Sequence, residues 1–286
     1  MRSPRLCWRK RDGQRLWLRE QRDGLKMTDY LINYRRTRRP GYVAGIQPPL
    51  PPGLYPTANL NFHIKADSLA LSDGDKVASW TELIVGNHPV QDTESQKPTF
   101  KTGIINGLPV VRFNSTDSGG LVSPSLMVPW PGTGSYYFVL RRDTTADGII
   151  IRNGADTGYY HSNGTGLGSA NTGNINGFYD AGDGNGRRWI NTGVAFGTTA
   201  PVLVSKHLDT TPTYFKFYRN GSYINSFECV GVQVGDINYG YFGWDGWGSS
   251  ISIDIAEIMV YTDDHSLDAE KRQQVEAYLN SKYALW

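Results

Sequence analysis

The sequence is poor in cysteine and contains no long hydrophobic run. Its 286 residues include two cysteines, Cys7 and Cys229, too few for the disulfide framework of a small secreted domain. No stretch approaches the roughly 18 consecutive apolar residues of a membrane-spanning helix, so we expect no membrane partner. The N-terminal region also lacks an apolar segment of about 7–15 residues, so we expect no secretory signal.

Patterns for metal binding are scarce as well. The five histidines show no spacing typical of a metal-ligand motif. Glycines are frequent in 180–186, but no helix with a lysine follows them, as a phosphate-binding loop would require. These absences favour a protein that binds or builds, and we expect no enzymatic activity.

Charge is divided unevenly along the chain. Residues 1–40 carry thirteen Lys/Arg and four Asp/Glu, a net charge of +9, whereas residues 41–286 carry sixteen and twenty-three, a net charge of −7. We interpret 1–40 as a basic, extended anchoring arm whose densest cluster is Arg35, Arg36, Arg38 and Arg39. We favour docking of this arm on an acidic protein surface over nucleic-acid binding, because the acidic remainder would repel DNA.

Two further segments follow the arm. Residues 41–57 are rich in proline, which predicts a semi-rigid extended linker. Residues 58–286 contain many short apolar runs separated by Gly, Pro and Asn, which is typical of an antiparallel β-sandwich. The alternation of Leu60, Phe62 and Ile64 with polar residues predicts a half-buried strand. Asn220-Gly221 predicts a hairpin turn, because both positions favour positive φ.

One helix is predicted, over Leu267–Tyr283. Ser266 is the expected N-cap, and acidic residues in the first turn suit the helix dipole. The stripe expected to pack on the sandwich consists of Leu267, Lys271, Val275, Tyr278, Leu279 and Lys282.

Three stretches in a fixed order carry a family resemblance. They are Ala66-Asp67 with Gly74-Asp75 and Trp80; Pro98-Thr99-Phe100 with Asn106-Gly107-Leu108-Pro109; and Asp254-Ile255-Ala256-Glu257 before the helix. Together they resemble the laminin-G-like domains of bacterial and phage structural proteins, in the concanavalin A superfamily of lectins. The resemblance implies an all-β jelly-roll sandwich with one C-terminal helix. It covers nearly all of 58–286, but residues 140–210 match no family pattern, and Ile84-Val85-Gly86-Asn87 replaces a Ser-Gly-x-Gly-like turn.

Glycoside hydrolases of the same fold carry the pattern Glu-x-Asp-x-x-Glu on one strand. Here the run is Ser252-Ile253-Asp254-Ile255-Ala256-Glu257, so a serine replaces the first acid. Because serine cannot act as the carboxylate nucleophile, we interpret Asp254 and Glu257 as a structural pair.

Two loops are candidate carbohydrate sites, because aromatic rings stack on sugar C–H faces and carboxylates accept hydroxyl hydrogen bonds. The stronger contains Trp244, Asp245 and Trp247, and the weaker contains Tyr159, Tyr160 and Asn163. The alternative is that these tryptophans pack against the sandwich. No cofactor is assigned with certainty. Asp180, Asp183 and Asn185 form a candidate Ca²⁺ site, for which the alternative is a flexible glycine-rich turn.

The arm-plus-sandwich organisation leads to a functional hypothesis. We expect a non-enzymatic structural protein on the exterior of a bacteriophage virion. The arm would bind other virion proteins, and the sandwich would decorate the capsid. We expect a homo-oligomer, because such proteins commonly assemble symmetrically. One alternative is a tail-fibre or extracellular lectin that recognises host surface glycans during attachment. Another is a glycoside hydrolase of the same fold.

Overall fold

The structure is a computed structural model, and it describes residues 7–9, 15–17, 54–115, 119–124, 133–142, 148–154, 164–169, 174–180, 187–197, 199–210, 213–228, 240–243 and 252–286. The chain divides into two units, Met1–Pro48 and Pro49–Trp286. In the first unit, β1 (Cys7–Arg9) and β2 (Arg15–Trp17) pair antiparallel. The sequence shows no strand period in this segment, because three-residue strands are too short to produce one.

The second unit contains two antiparallel sheets. The larger consists of β3 (Leu60–Lys65), β4 (Thr99–Ile105), β5 (Leu108–Phe113), β7 (Gly134–Arg142), β12 (Val202–Thr210), β13 (Thr213–Arg219), β14 (Ser222–Glu228) and β16 (Ile253–Tyr261). The smaller consists of β6 (Leu121–Ser123), β8 (Gly148–Gly154), β9 (Gly164–Ser169), β10 (Asn174–Asp180), β11 (Arg187–Ala195) and β15 (Gly240–Phe242). Their spatial orders are β14-β13-β12-β7-β16-β5-β4, with β3 also on β16, and β11-β10-β9-β8-β15-β6.

The main core lies between these sheets. Along β7, Tyr136, Phe138 and Leu140 belong to this core. The alternate residues Tyr137 and Val139 belong to a second apolar cluster, on the outer face of the large sheet. Because β7 is covered on both faces, it reads as a nearly continuous apolar run, as strands buried on both sides do. The predicted antiparallel sandwich with one C-terminal helix is confirmed.

A β-bulge on β16 decides where its acidic residues lie. Ile255 pairs with Leu140 and Glu257 pairs with Val139, so Ala256 is an extra residue. Without it, the two-residue period from Ile253 would direct position 257 into the core between the sheets. The bulge instead places Glu257 on the outer face and returns Ile258 to the core.

The helix α1 (Ala269–Tyr283) covers part of that outer face. Val275, Tyr278 and Leu279 pack there, as predicted. The predicted start is wrong: Asp268 rather than Ser266 is the N-cap, and its carboxylate accepts a hydrogen bond from the Lys271 backbone at 3.0 Å. Leu267 therefore precedes the helix and is 71% exposed. In the described part of the chain, no helix has the length and hydrophobicity to cross a membrane.

A buried histidine network joins α1 to the sheet. The Tyr137 hydroxyl is 2.7 Å from His265 Nδ1, and His265 Nε2 is 3.0 Å from the Asp263 carboxylate. Asp263 also accepts a hydrogen bond from Lys271 on α1. His207 Nδ1 lies 2.9 Å from the Ser135 hydroxyl on the same side of the sheet. These contacts give the outer face a polar interior beneath the helix.

The predicted hairpin is confirmed. Asn220 and Gly221 have φ values of 49° and 75° and connect β13 to β14. The half-buried strand at β3 is only partly as expected, because His63 is fully buried rather than exposed. The helix that covers this strand lies more than 200 positions later in the sequence, so the local alternation could not reveal the burial.

Candidate functional site

A row of three charged side chains crosses the outer face of the large sheet. Asp254 on β16 pairs with Arg112 on β5 and with Arg141 on β7. Arg112 donates from Nε to Asp254 Oδ1 at 2.7 Å and from Nη2 to Oδ2 at 3.0 Å. Arg141 Nε and Nη2 lie 2.9 and 2.7 Å from Oδ2. We call these three residues the arginine row.

The arginine row is anchored from below and open above. The Asp254 side chain is 2% exposed, whereas the side chains of Arg112 and Arg141 are 24% and 23% exposed. One buried carboxylate thus fixes two arginine side chains that remain partly exposed. The row carries a net charge of +1, and planar guanidinium groups recognise carboxylate oxygens through paired hydrogen bonds.

The aromatic loop predicted to bind sugar is connected to this row. The loop begins after Gly243, which follows β15 in the small sheet, and ends at Ser252, which precedes β16 in the large sheet. The Ser252 hydroxyl accepts a hydrogen bond from the Ser115 backbone at 3.1 Å. Asp254 is two residues beyond Ser252, so the loop returns to the large sheet beside the arginine row.

The entry to this loop is fixed by Gly243. Its φ is +71°, and its backbone N–H donates to the Ile150 carbonyl at 2.8 Å. A Cβ at this position would lie 2.2 Å from Phe113 Cδ1. Both the positive φ and the close approach to Phe113 require glycine. The path by which the chain leaves the small sheet is therefore fixed at this residue.

Glu257 lies in a separate and closed network. Its Oε1 is 2.7 Å from His63 Nε2 and accepts from the Tyr278 hydroxyl at 3.0 Å. Its Oε2 accepts from Lys282 Nζ at 2.7 Å and from the Tyr283 hydroxyl at 2.8 Å. Three of these partners come from α1, so this carboxylate fastens the helix to β16.

The electrostatics of this network agree with a fastening role. Burial alone would raise the pKa of Glu257, but the His63 hydrogen bond and the charge of Lys282 outweigh it and lower the pKa to about 2. Burial and the adjacent Glu257 charge raise the pKa values of Tyr278 and Tyr283. Glu257 is thus ionised and its partners remain donors at neutral pH. Asp254 and Glu257 were predicted to form one structural pair. They instead belong to two separate networks.

Most of the predicted site residues lie outside the described residues. They are Trp244, Asp245, Trp247, Tyr159, Tyr160, Asn163, Arg35, Arg36, Arg38, Arg39, Asp183 and Asn185. Asp180 is the last residue of β10. Within the described ranges, no group of three His, Cys, Asp or Glu side chains could hold a metal ion. Asp73 accepts a hydrogen bond from Lys101 Nζ at 2.6 Å.

The arginine row was not predicted from the sequence. Each arginine is a charged residue at the end of an apolar strand run, after Val110-Val111 in one case and after Val139-Leu140 in the other. That position could have marked them as outward-facing neighbours of Asp254. The pairing of β5, β16 and β7 was needed to bring the three residues together. Along the chain, about 30 residues separate the two arginines and about 110 separate Arg141 from Asp254.

No protein-family model matches the chain, and a search of curated proteins finds no match. Among solved structures, it resembles Trypanosoma rangeli sialidase in complex with sialic acid, with 12% identity and a TM-score of 0.50 over 79% of this chain and 34% of that one. It also resembles the binding domain of Paraclostridial Mosquitocidal Protein 1, with 13% identity and a TM-score of 0.52 over 76% and 52%. A third similar structure is the CBM40 of Ruminococcus gnavus IT-sialidase bound to α2,3-sialyllactose, with 16% identity and a TM-score of 0.43 over 53% and 84%.

These similarities concern the fold. The chain shares an antiparallel β-sandwich fold with these proteins, and it spans about a third of the sialidase structure and about half of the toxin structure. The prediction that the protein is not an enzyme is wrong as an inference from fold, because proteins that share the fold include sialidases, which are glycoside hydrolases. At these identities the likeness assigns no reaction to this chain.

Proposed function

We propose that the protein is a lectin-like module that binds glycans bearing carboxylate groups, and that the arginine row is its contact for the carboxylate. The observation that carries the proposal is the anchoring of two partly exposed arginines by one buried aspartate. Asp254 holds both guanidinium groups in place before any ligand arrives, so little side-chain entropy is lost on binding. The acidic remainder of residues 41–286 makes this positive row the natural place for an anionic group.

The similar structures support a sugar ligand of this class. One is a sialidase in complex with sialic acid, a carboxylate-bearing sugar, and another is the binding domain of a toxin. We propose further that Trp244, Asp245 and Trp247 contact the sugar beside the row, because their loop ends at Ser252. Tyr159, Tyr160 and Asn163 remain a second proposed contact, and Asp180, Asp183 and Asn185 a proposed Ca²⁺ site.

A glycan array with the full chain tests this proposal. Wild-type protein and Arg141→Gln are applied, with and without Ca²⁺, to neutral glycans and to the same glycans carrying sialic or uronic acid. Removing one charge-assisted hydrogen-bond donor should lower affinity for acidic glycans about tenfold and leave neutral glycans unchanged. Lys101→Gln is the matched control, because it breaks another partly exposed ion pair, between Lys101 on β4 and Asp73.

Each possible result of the array has a different meaning for the arginine row. Loss of acidic-glycan binding in Arg141→Gln alone supports the proposed site. Equal loss in both variants would mean that general surface charge, rather than this row, attracts the ligand. Unchanged binding in Arg141→Gln would exclude the row, and a Trp247→Ala variant would then test whether the aromatic loop acts without it.

We propose as a second function that the sandwich is attached to a phage particle by its N-terminal arm. The observation that favours this is the charge division, +9 in residues 1–40 against −7 in the remainder. A basic arm can dock on an acidic virion surface while the sandwich is displayed outward. Capsid decoration and tail-fibre attachment to host glycans both fit, on the virion exterior or as an extracellular lectin, and symmetric assembly would suit either role.

Deletion of residues 1–57 tests the attachment proposal. We expect the remaining sandwich to fold, since the buried residues of both apolar clusters lie between Leu60 and Tyr283, and to lose incorporation into particles. Incorporation is measured by co-sedimentation with particles assembled in a host. A truncated protein that sediments with particles as the full chain does would contradict the anchoring role of the arm.

A further inference from the structure

Two aromatic side chains are unusually exposed at one place on the large sheet. Tyr223 on β14 is 56% exposed, and Trp286, three residues after the end of α1, is 54% exposed. Both lie at the β13–β14 turn: Tyr223 follows it by two residues, and a Cβ at Gly221 would lie 3.5 Å from Trp286 Cζ2. We call Tyr223, Trp286 and the Gly221 turn between them the aromatic shelf.

Trp286 is held firmly although it is exposed. The Asn280 side chain accepts hydrogen bonds from the Leu285 and Trp286 backbones at 2.9 and 3.0 Å. Its amide group donates to the Trp286 carbonyl at 3.1 Å. Ala284, with φ of 51°, turns the chain back so that these bonds can form. Such exact backbone anchoring would be unnecessary for a tryptophan that simply projects into water.

Tyr223 is supported from the other side. Its ring packs edge-on against Tyr218 with centroids 5.6 Å apart, and the two residues are cross-strand partners. The Arg272 guanidinium lies over the Tyr218 ring at 4.2 Å. The Tyr223 ring is therefore placed by a packed neighbour and the backbone of Trp286 is fixed by Asn280, which is the preorganisation expected of a binding surface.

A polar group lies beneath the shelf. Glu276 is 4% exposed, and its Oε2 would be 3.6 Å from a Cβ at Gly221. Glu276 Oε1 forms no hydrogen bond within the described residues, and the Arg272 Nε is 3.5 Å away. Covering the shelf with a purely apolar partner would isolate these charges further from water, at a cost in free energy.

We infer that the aromatic shelf is a second carbohydrate subsite, on which a pyranose ring stacks between Trp286 and Tyr223. A sugar offers C–H faces to the two rings and hydroxyl groups to nearby polar atoms, so it suits an aromatic surface that encloses a carboxylate and a guanidinium. The side chain of Arg272, the guanidinium beside the shelf, is 12% exposed, about half as much as those of the arginine row, so stacking should accept neutral sugars. This inference deepens the proposed glycan-binding function and rests on it.

Variants of the full chain on the same array of neutral and acidic glycans test the inference. Trp286→Ala and Tyr223→Ala should each weaken binding of neutral and acidic glycans about tenfold or more, because aromatic anchors dominate binding surfaces. Trp286→Phe retains a ring and should retain most of the binding. Thermal unfolding of each variant separates lost contacts from lost folding, and Tyr223→Ala, on an exposed edge strand, provides the evidence if Trp286→Ala unfolds.

The outcomes distinguish the shelf from the arginine row. Loss of binding in Arg141→Gln with normal binding in both shelf variants would overturn the shelf and leave the proposed function. Loss in the shelf variants alone would support the shelf and exclude the row. Binding of no glycan by the wild type would overturn both. A wild type that self-associates in sedimentation, with a monomeric Trp286→Ala, would identify the shelf as an interface between copies and overturn the sugar assignment.

Discussion

Asp254 and Glu257 lie three residues apart on β16, yet their surroundings differ in every respect that matters for function. Asp254 holds two arginines that remain about a quarter exposed. Glu257 is covered by α1, and its partners include Lys282, whose side chain is 15% exposed. The bulge at Ala256 does not separate them by face. They differ in their partners, since α1 supplies three partners of Glu257, whereas Asp254 pairs with arginines on β5 and β7.

This comparison shows that a pair of carboxylates in a strand has no fixed meaning. Where a helix supplies most of the partners of a buried carboxylate, the charge stabilises the fold. Where its partners reach solvent, it can orient them towards a ligand. The following changes test that division, beginning with the largest expected effect.

The largest effect is expected from Glu257→Gln. The change removes a buried charge that receives four hydrogen bonds and leaves Lys282 without its buried partner, so the free energy of unfolding should fall by about 3 kcal/mol. Urea unfolding of the full chain measures it. Glu94→Gln, the same substitution in an exposed pair with Lys97, should change stability by less than about 0.5 kcal/mol. Equal effects in the two variants would show that the Glu257 network does not fasten the helix.

The next effect concerns pH. Burial raises the pKa of Glu276 from 4.5 to about 7, with Arg272 opposing it. The folded protein therefore binds this proton more tightly than the unfolded chain, so Glu276 lowers stability as pH rises from 4.5 through 7. Glu276→Gln should gain stability relative to wild type between pH 5 and pH 8, by up to about 3 kcal/mol. Urea unfolding at both pH values checks this, with Glu270→Gln as control.

The histidines act in the same pH range with the opposite sign. Burial lowers the pKa of His265 from 6.5 to about 4 and holds that of His207 well below its ordinary value. Below pH 6.5 the unfolded chain binds these protons and the folded chain does not, so their contribution to stability is lost as pH falls towards 4. In Glu276→Gln the stability should therefore rise steadily from pH 4 to 6.5. A flat profile there would contradict the burial of these histidines.

A smaller effect is expected at the loop beside the arginine row. Gly243→Ala adds a Cβ that would lie 2.2 Å from Phe113, at a φ of +71°, and should lower the free energy of unfolding by about 1–3 kcal/mol. Gly193→Ala is the control, because Gly193 has a similar φ of +75° but no atom lies within 4 Å of the added Cβ. Thermal unfolding compares them. If the two variants are equally destabilised, the close approach to Phe113 has no effect of its own.

Features decided by neighbouring residues could be predicted from the sequence. The Asn220-Gly221 turn and the apolar stripe of Val275 and Leu279 belong to this kind. The helix start at Asp268 was missed by two residues, because Ser266 and Asp268 are both good capping residues and only the tertiary structure selects one.

Features decided by strand pairing could not be predicted. The burial of His63 depends on Glu257 and the helix, and the arginine row depends on three strands that are distant in sequence. The β-bulge at Ala256 has no marker in the sequence, since alanine is compatible with either register.

The most direct test of the account measures two properties in two variants. For Arg141→Gln and Glu257→Gln, affinity for a carboxylate-bearing glycan is titrated at a temperature where both variants are folded, and the free energy of unfolding is measured on the same samples. We predict that Arg141→Gln loses about tenfold in affinity and loses less stability than Glu257→Gln, because Arg112 still pairs with the buried Asp254, and that Glu257→Gln binds with unchanged affinity. If Glu257→Gln instead loses affinity while Arg141→Gln binds normally, the division of roles along β16 is contradicted.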